Sequence, residues 1–217
     1  MTDAGGQIMG GEGEATGKAR CRAFQHPTSN IQPPLQEDGD LLDRFHLGDP
    51  SAFDELVERY HLPVYHLAYR MTQNRADAED LAQEVFVRAY RSLKGFRRAS
   101  SLKTWLFQIT INLSIDRQRR GGLDALPRRA GMNPIPPSAQ DPEALALLEQ
   151  KEREIELQEA IAKLPEKQRA TLILRIFHDL SFKEIAEVIG SPLGTVKANY
   201  HHAVIRLRRL LQDRSSH

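Results

Sequence analysis

The segment from Gly121 to Gln140, GGLDALPRRAGMNPIPPSAQ, divides this chain in two. It opens on Gly-Gly, holds four prolines and shows no apolar period. Proline fixes φ and has no N–H to give a helix or a sheet, so repeated prolines argue against both. The segment reads as a flexible linker. The flanking stretches, 40–120 and 141–214, must then bury their own apolar side chains, and each has the length of one small domain.

Both flanks carry helical periodicity. Leu41, Leu42 and Phe45 form a short apolar group. Phe53, Leu56, Val57, Tyr60, Val64, Leu67, Ala68 and Met71 then recur at three- and four-residue steps, with Pro63 expected to kink their helix. Asn74 or Asp77 suits the cap of a second helix, whose buried stripe is Ala78, Leu81, Ala82, Val85, Phe86, Ala89 and Leu93 and whose end is Gly95. A third helix runs from about Leu102 to Arg119. Leu102, Trp105, Leu106, Ile109 and Leu113 face one way and Phe107, Ile111 and Ile115 another, the pattern of a helix packed on two sides, with Trp105 in the core. After the linker, Asp141-Pro142 opens a helix carrying Leu145, Leu148, Ile155, Ala160, Ile161 and Leu164. Pro165 breaks it, and Gln168 to Asp179 reads as another. No segment reads as a strand. The expected fold class is all-α: two small helical domains on a flexible linker, behind an aperiodic arm, 1–39, that reads as disordered.

Several function classes drop out. Cys21 is the single cysteine, which excludes a disulfide framework and a cysteine-based zinc site. No apolar run approaches the ~20 residues of a membrane span, and Met1–Gly17 lacks the apolar core of a secretory signal. A cytoplasmic protein without membrane insertion is expected. Gly11 to Lys18 looks like a phosphate loop, but its glycines are one residue too far apart, Ala19 replaces the hydroxyl and no strand precedes it. His61 and His66, and the adjacent His201 and His202, lack metal-ligand spacing. The expectation is no catalytic residue, no metal and no cofactor, hence no enzyme.

The formal net charge of +1 conceals a strong local pattern. Glu37 to Leu93 holds twelve acids against six bases; Lys94 to Arg120 holds seven bases against Asp116; Ser191 to Arg214 holds five bases against Asp213. Basic patches of this kind attract phosphate backbones and release counterions. The second one coincides with a local motif. Ser181-Phe182-Lys183-Glu184 is a capping box, Gly190 suits a left-handed cap, and Ser191-Pro192 starts a longer helix that buries Val196, Tyr200, Ala203, Val204 and Leu207. A short helix, a tight turn and a longer basic helix make a helix-turn-helix, whose second helix reads the major groove. Its outward positions are Leu193, Thr195, Lys197, Ala198, Asn199, His201 and His202. Asn199 has the geometry to read adenine, Lys197 to reach guanine or phosphate, and Arg206, Arg208 and Arg209 to hold the backbone.

At these residues the sequence resembles the extracytoplasmic-function sigma factors of the sigma-70 family. LSFKEIAEVIGSPLGTVKANYHHAVIRLRRLL, Leu180–Leu211, is similar to their C-terminal, −35-binding domain. DAEDLAQEVFVRAYRSL, Asp77–Leu93, and SLKTWLFQITINLSIDRQRR, Ser101–Arg120, are similar to their N-terminal domain. The resemblance implies core RNA polymerase, promoter DNA and an anti-sigma factor as partners, and no homo-oligomer. It implies polymerase docking through Asp77, Glu79, Asp80, Gln83 and Glu84. It implies capture of a −10 base by the loop holding Phe96, Arg97, Arg98, Ser100 and Ser101. Lys103, Asn112, Arg117, Arg119 and Arg120 would hold the −10 strand and backbone, and Leu193, Thr195, Lys197, Ala198, Asn199, His201, His202 and Arg206 the −35 element. Many members carry Ser-Arg where this chain has Ala198-Asn199, so no specific −35 sequence is implied. A fully extended 20-residue linker reaches ~70 Å, enough to place two modules one to two duplex turns apart. The alternative is a stand-alone helix-turn-helix regulator that binds duplex DNA without polymerase. The basic, aromatic-containing stretch Phe96–Arg120 in the other half favours the sigma factor.

Overall fold

The computed structural model describes residues 35–120 and 142–215, with side chains at 38–120 and 150–213. The linker 121–140 and the arm up to residue 34 lie outside the described residues. Eight α-helices follow in order: α1 Leu35–His46, α2 Ser51–Thr72, α3 Arg75–Ser92, α4 Leu102–Arg120, α5 Pro142–Ala162, α6 Glu166–Phe177, α7 Phe182–Ile189 and α8 Leu193–Ser215. A single 3₁₀ turn, Leu93–Gly95, follows α3, so Gly95 closes this turn rather than the helix itself. Among the described residues there is no strand.

Local chemistry accounts for most boundaries. Gln73 takes the left-handed conformation (φ 56°) and returns its N–H to the Tyr69 carbonyl, which stops α2. Asn74 then caps α3, its side-chain oxygen accepting from the Asp77 N–H at 3.2 Å. Pro63 sits inside α2 and removes one helical donor, yet the helix runs through it. Helix α1 begins at Leu35, five residues ahead of the start expected at Asp40. The cause is tertiary. Asp38 is buried against α2, where it accepts the Tyr60 hydroxyl and an Arg59 guanidinium at 2.8 Å. A carboxylate in an aperiodic acidic stretch gives no sequence sign of such a destination.

Helices α2, α3 and α4 pack on one another, and α1 lies on α2. Helices α6, α7 and α8 form a second trio, with α5 along α8. The two groups also meet: α7 packs on α4, and α6 on α2. One continuous set of buried apolar residues runs from Leu41 to Ala203. Helix α4 is apolar on both sides, as its pattern indicates, with Leu102, Leu106, Phe107, Ile111, Leu113 and Ile115 all buried. Its buried Thr110 and Ser114 hydroxyls donate to the carbonyls of Leu106 and Thr110, each at 2.8 Å, so neither is left unpaired.

Asp38→Ala strands the buried Tyr60 hydroxyl, and an unsatisfied buried group costs about 1–3 kcal/mol. Thermal and urea unfolding should show a loss of about 2 kcal/mol, and an unchanged midpoint would detach α1 from the body.

Candidate nucleic-acid interface

The helix-turn-helix forms as its local signals dictate. Ser181 accepts from the Glu184 N–H at 3.3 Å, and Glu184 accepts from the Ser181 N–H at 2.7 Å, completing the capping box. Gly190 is left-handed at φ 64° and donates to the Ala186 carbonyl. Helix α8 starts at Leu193, with the Val196 N–H bonded to the Pro192 carbonyl at 3.1 Å. Val196 and Ala203 are buried, and Tyr200 meets Phe182 edge-on at 5.3 Å. This inward face fixes the outward one. Leu193, Thr195, Lys197, Ala198, His201, His202 and Arg206 are exposed and Asn199 is half-buried. All eight predicted residues lie along one helix, seven of them exposed.

The second predicted surface is the loop before α4 and α4 itself. Phe96 is half-buried, with its ring 4.9 Å from Trp105. Trp105 is itself only half-buried, packed on the core rather than within it. Arg97 and Arg98 are exposed; Arg98 adopts a left-handed backbone (φ 54°) and its guanidinium engages Asp43 of α1. Ser101 is committed to capping α4, accepting from the Thr104 N–H at 3.0 Å, while Ser100 is half-buried beside it. Asn112 and Arg120 are exposed. Arg117 donates to the Asp77 carbonyl at 3.0 Å, tying the basic end of α4 to the start of α3. Lys103 and Arg119 are drawn elsewhere, toward the C-terminal helices.

On α3, Asp77, Glu79, Asp80 and Gln83 are exposed and Glu84 is half-buried. Glu79 pairs with Arg75 at 2.9 Å and Glu84 with Arg88 at 2.7 Å, both one turn apart and both solvated, so each pair adds little to stability. Sequence reading missed the apolar continuation of this face. Val87 and Tyr90 are 49% and 52% exposed, and with Phe53, Phe86 and Arg91 they line an open groove of about 390 Å³. Val87 lies seven residues, about two turns, beyond Asp80, which puts both on one helical stripe.

Further contacts join the two helical groups, and of the polar residues that make them sequence reading gave a binding role only to Arg119. Arg70 of α2 lies over the Phe177 ring at 3.6 Å. His178, after α6, meets Phe107 of α4 edge-on at 4.8 Å. Gln118 of α4 donates to the Met71 carbonyl at 2.9 Å and accepts from Arg169 of α6 at 2.8 Å. Arg119 reaches Glu166 at 3.6 Å. His178 is half-buried as a residue, but its Nε2 is fully buried and unpartnered. Burial, reinforced by Lys103, Arg70 and His66, pushes its pKa down to about 3. Burial likewise lowers the pKa of Lys103, against the opposing pull of Glu184 and Asp179. The available signal was Arg169, three residues before Leu172 and four before Ile173, a polar residue on an apolar stripe.

Among the described residues no group of His, Cys, Asp or Glu is arranged to hold a metal, and no helix is long and apolar enough to cross a membrane. Residues 56–123 match the family model for Sigma-70 region 2, and residues 154–207 that for Sigma-70, region 4. The chain is 38% identical over 174 residues to the ECF RNA polymerase sigma factor SigW of Bacillus subtilis, covering 76% of this chain and 92% of the relative. It is 36% identical over 190 residues to the RNA polymerase sigma-H factor of Pseudomonas aeruginosa, covering 82% and 95% respectively. Among solved structures, that of CnrH in complex with the cytosolic domain of CnrY superposes with a TM-score of 0.60 at 24% identity, over 82% of this chain and 98% of that one. The likeness to that structure is one of fold.

The His178 shift sets a sign for acid stability. A histidine depressed from about 6.5 favours the packed form above that value, and the advantage is lost as pH falls toward 3. Each unit below 6.5 removes about 1.4 kcal/mol. Between pH 7.5 and 5.5 the melting temperature should fall more for the parent than for His178→Phe, whose ring does not titrate. Equal slopes would place the imidazole in water.

Proposed function

The chain belongs to the extracytoplasmic-function RNA polymerase sigma factors, and we propose that its two halves share one promoter between them. Sigma factors are non-enzymatic transcription initiation factors. This one binds core RNA polymerase and directs it to promoter DNA. In the proposed division of labour, domain 40–120 docks on polymerase and opens the −10 element. Domain 141–214 reads the −35 element, and 121–140 spans the distance. The observation that carries this reading is the coexistence of two basic surfaces in one chain: the α8 face behind its capped turn, and the Phe96–Arg120 stretch. A stand-alone regulator needs only the first.

On α3, the acidic and amide side chains Asp77, Glu79, Asp80, Gln83 and Glu84 suit a basic partner helix of polymerase, and Val87 and Tyr90 add an apolar contact beside them. In the loop before α4, Phe96, Arg97, Arg98, Ser100 and Ser101 frame the site for a flipped base. Extrusion costs a few kcal/mol, which Lys103, Asn112, Arg117, Arg119 and Arg120 offset by holding the strand. On α8, Asn199 and Lys197 face base edges while His201, His202 and Arg206 approach the backbone, with Leu193, Thr195 and Ala198 completing the contact. The protein works in the cytoplasm as a monomer, and an anti-sigma factor restrains it by covering these polymerase-facing surfaces.

Transcription in vitro with purified core enzyme on fragments of the host genome, followed by start-site mapping, tests the whole assignment. Specific transcripts should require the protein, and their absence would sink it. Asp80→Lys with Glu84→Lys should weaken polymerase binding at least tenfold, about 1.4 kcal/mol, with fold and isolated DNA affinity unchanged. Lys197→Ala should weaken −35 binding and flatten its salt dependence by about one unit of log–log slope; an unaltered slope would remove Lys197 from the interface.

A further inference from the structure

Two histidines stand side by side on the outward face of α8, where permanent charge is sparse. The stretch Leu193–Arg206 carries only two permanent cations, Lys197 and Arg206, and Ala198 and Asn199 between them are neutral. His201 and His202 are both exposed, with their rings edge-on at 6.0 Å. Successive residues on a helix diverge by about 100°, so the two rings do not converge on one point. Each continues a different row of cations instead. His201 lies four residues after Lys197 and seven before Arg208; His202 lies four before Arg206 and seven before Arg209. Both spacings keep side chains on one side of a helix, and all four of these basic residues are exposed. A helix with its side chains is about 10–12 Å across and the major groove about 12 Å wide, so each row lies against one wall of the groove, where the phosphates of one strand run.

We propose that His201 and His202 are proton-dependent phosphate contacts: each takes up a proton as it meets the DNA backbone, so the grip of α8 on duplex DNA tightens as pH falls. The proposal rests on the promoter reading above and adds to it the ionisation state in which α8 binds.

Histidine is the side chain whose charge ordinarily changes between pH 5 and 8. A protonated imidazole offers two N–H donors and a positive charge, and charge-assisted bonds to phosphate are the stronger kind. Protonating both rings takes the formal charge of Leu193–Arg206 from +2 to +4, because Lys197 and Arg206 are joined by His201 and His202. No carboxylate stands on α8 before Asp213 to neutralise them. Helices α5, α6 and α7 pack on α8. Their charged residues, among them Glu154 and Glu159 of α5, Arg175 of α6 and Lys183, Glu184 and Glu187 of α7, form no ion pair or hydrogen bond with either histidine among the described residues. Two cations this close repel, and a phosphate beside each relieves the repulsion. Proton uptake is therefore coupled to DNA rather than to the fold. Binding that takes up protons strengthens as pH falls and weakens as it rises. Each further phosphate neutralised adds about 0.9 to the log–log salt slope, so the doubly protonated face carries a slope steeper by about 1.8.

Fluorescence anisotropy of the free full-length protein with a mixed-sequence duplex of about 30 base pairs, some three helical turns, tests this directly. At fixed salt the duplex should bind at least tenfold tighter at pH 5.5 than at pH 7.5. His201→Gln with His202→Gln should show less than a twofold change over the same range. His201→Lys with His202→Lys should bind at pH 7.5 as tightly as the parent does at pH 5.5, with a salt slope steeper than the parent's at pH 7.5 by about 1.8. His66 and His178, at the seam between the two helical groups, stay in every variant, so any effect of acid on the body of the protein is common to all of them. Circular dichroism at both pH values checks that each variant is folded. A parent whose affinity changes less than threefold, or that binds the duplex at neither pH, overturns the proposal. A glutamine variant that keeps the parent's pH dependence overturns it as well. Protein that directs no specific transcript defeats the promoter reading instead, and the duplex titrations still decide the proton linkage.

Discussion

Helix α4 has to be covered on two sides. Its apolar residues wrap too far round the helix for one neighbour, and Phe107 and Ile111 are fully buried as a result. Helices α2 and α3 cover one side and α7 covers another. Burying a large apolar side chain is worth about 1.5–3 kcal/mol, so uncovering Phe107 is a real penalty against a protein's narrow margin of stability. The arrangement of the C-terminal half follows: α7 closes this face while α6 packs on α2, and α8 packs on both α6 and α7, with α5 along α8.

Much of this was legible from sequence because it is set locally. The capping box at Ser181 and Glu184, the left-handed Gly190 and the inward positions Val196 and Ala203 are all decided within a few residues, so the outward face of α8 could be read by elimination. The Asn74 cap belongs to the same class. The two-sided pattern of α4 was visible as well, but periodicity says that a face is buried and not by what. Phe107 and Phe177 each read as core of their own half, and their contacts across the seam, with His178 and Arg70, are long-range facts. The start of α1 was hidden for a related reason: Asp38 earns its place through Tyr60 and Arg59, more than twenty residues away. The roles given to individual DNA and polymerase contacts come from family resemblance, since exposure alone does not distinguish a binding face from a solvated one.

The charge pattern gains meaning from the fold. The first half of α3, acidic at Asp77, Glu79, Asp80 and Glu84, and basic α4 are neighbours, and the Arg117 bond to the Asp77 carbonyl brings their oppositely charged ends together. Acidic Asp77 at the start of α3 and basic Arg117, Arg119 and Arg120 at the end of α4 both suit the helix dipole. The near-zero net charge therefore conceals adjoining regions of opposite sign, as a protein needs if one face meets a basic protein partner and another meets phosphate.

The closed arrangement treats the two DNA surfaces unequally. Lys197, His201, His202 and Arg206 remain exposed on α8, whereas Lys103 is turned into the seam. This arrangement keeps the second helix of the helix-turn-helix in view and leaves Lys103 half-buried. The α8 face contributes electrostatic attraction, which falls steeply with salt. Engagement at two sites multiplies affinity only when the geometry permits both contacts at once. In this arrangement Lys103 is half-buried, so the basic stretch of α4 presents less of its charge than the α8 face does. The α3 side chains Asp77, Glu79, Asp80 and Gln83 are exposed in this arrangement as well.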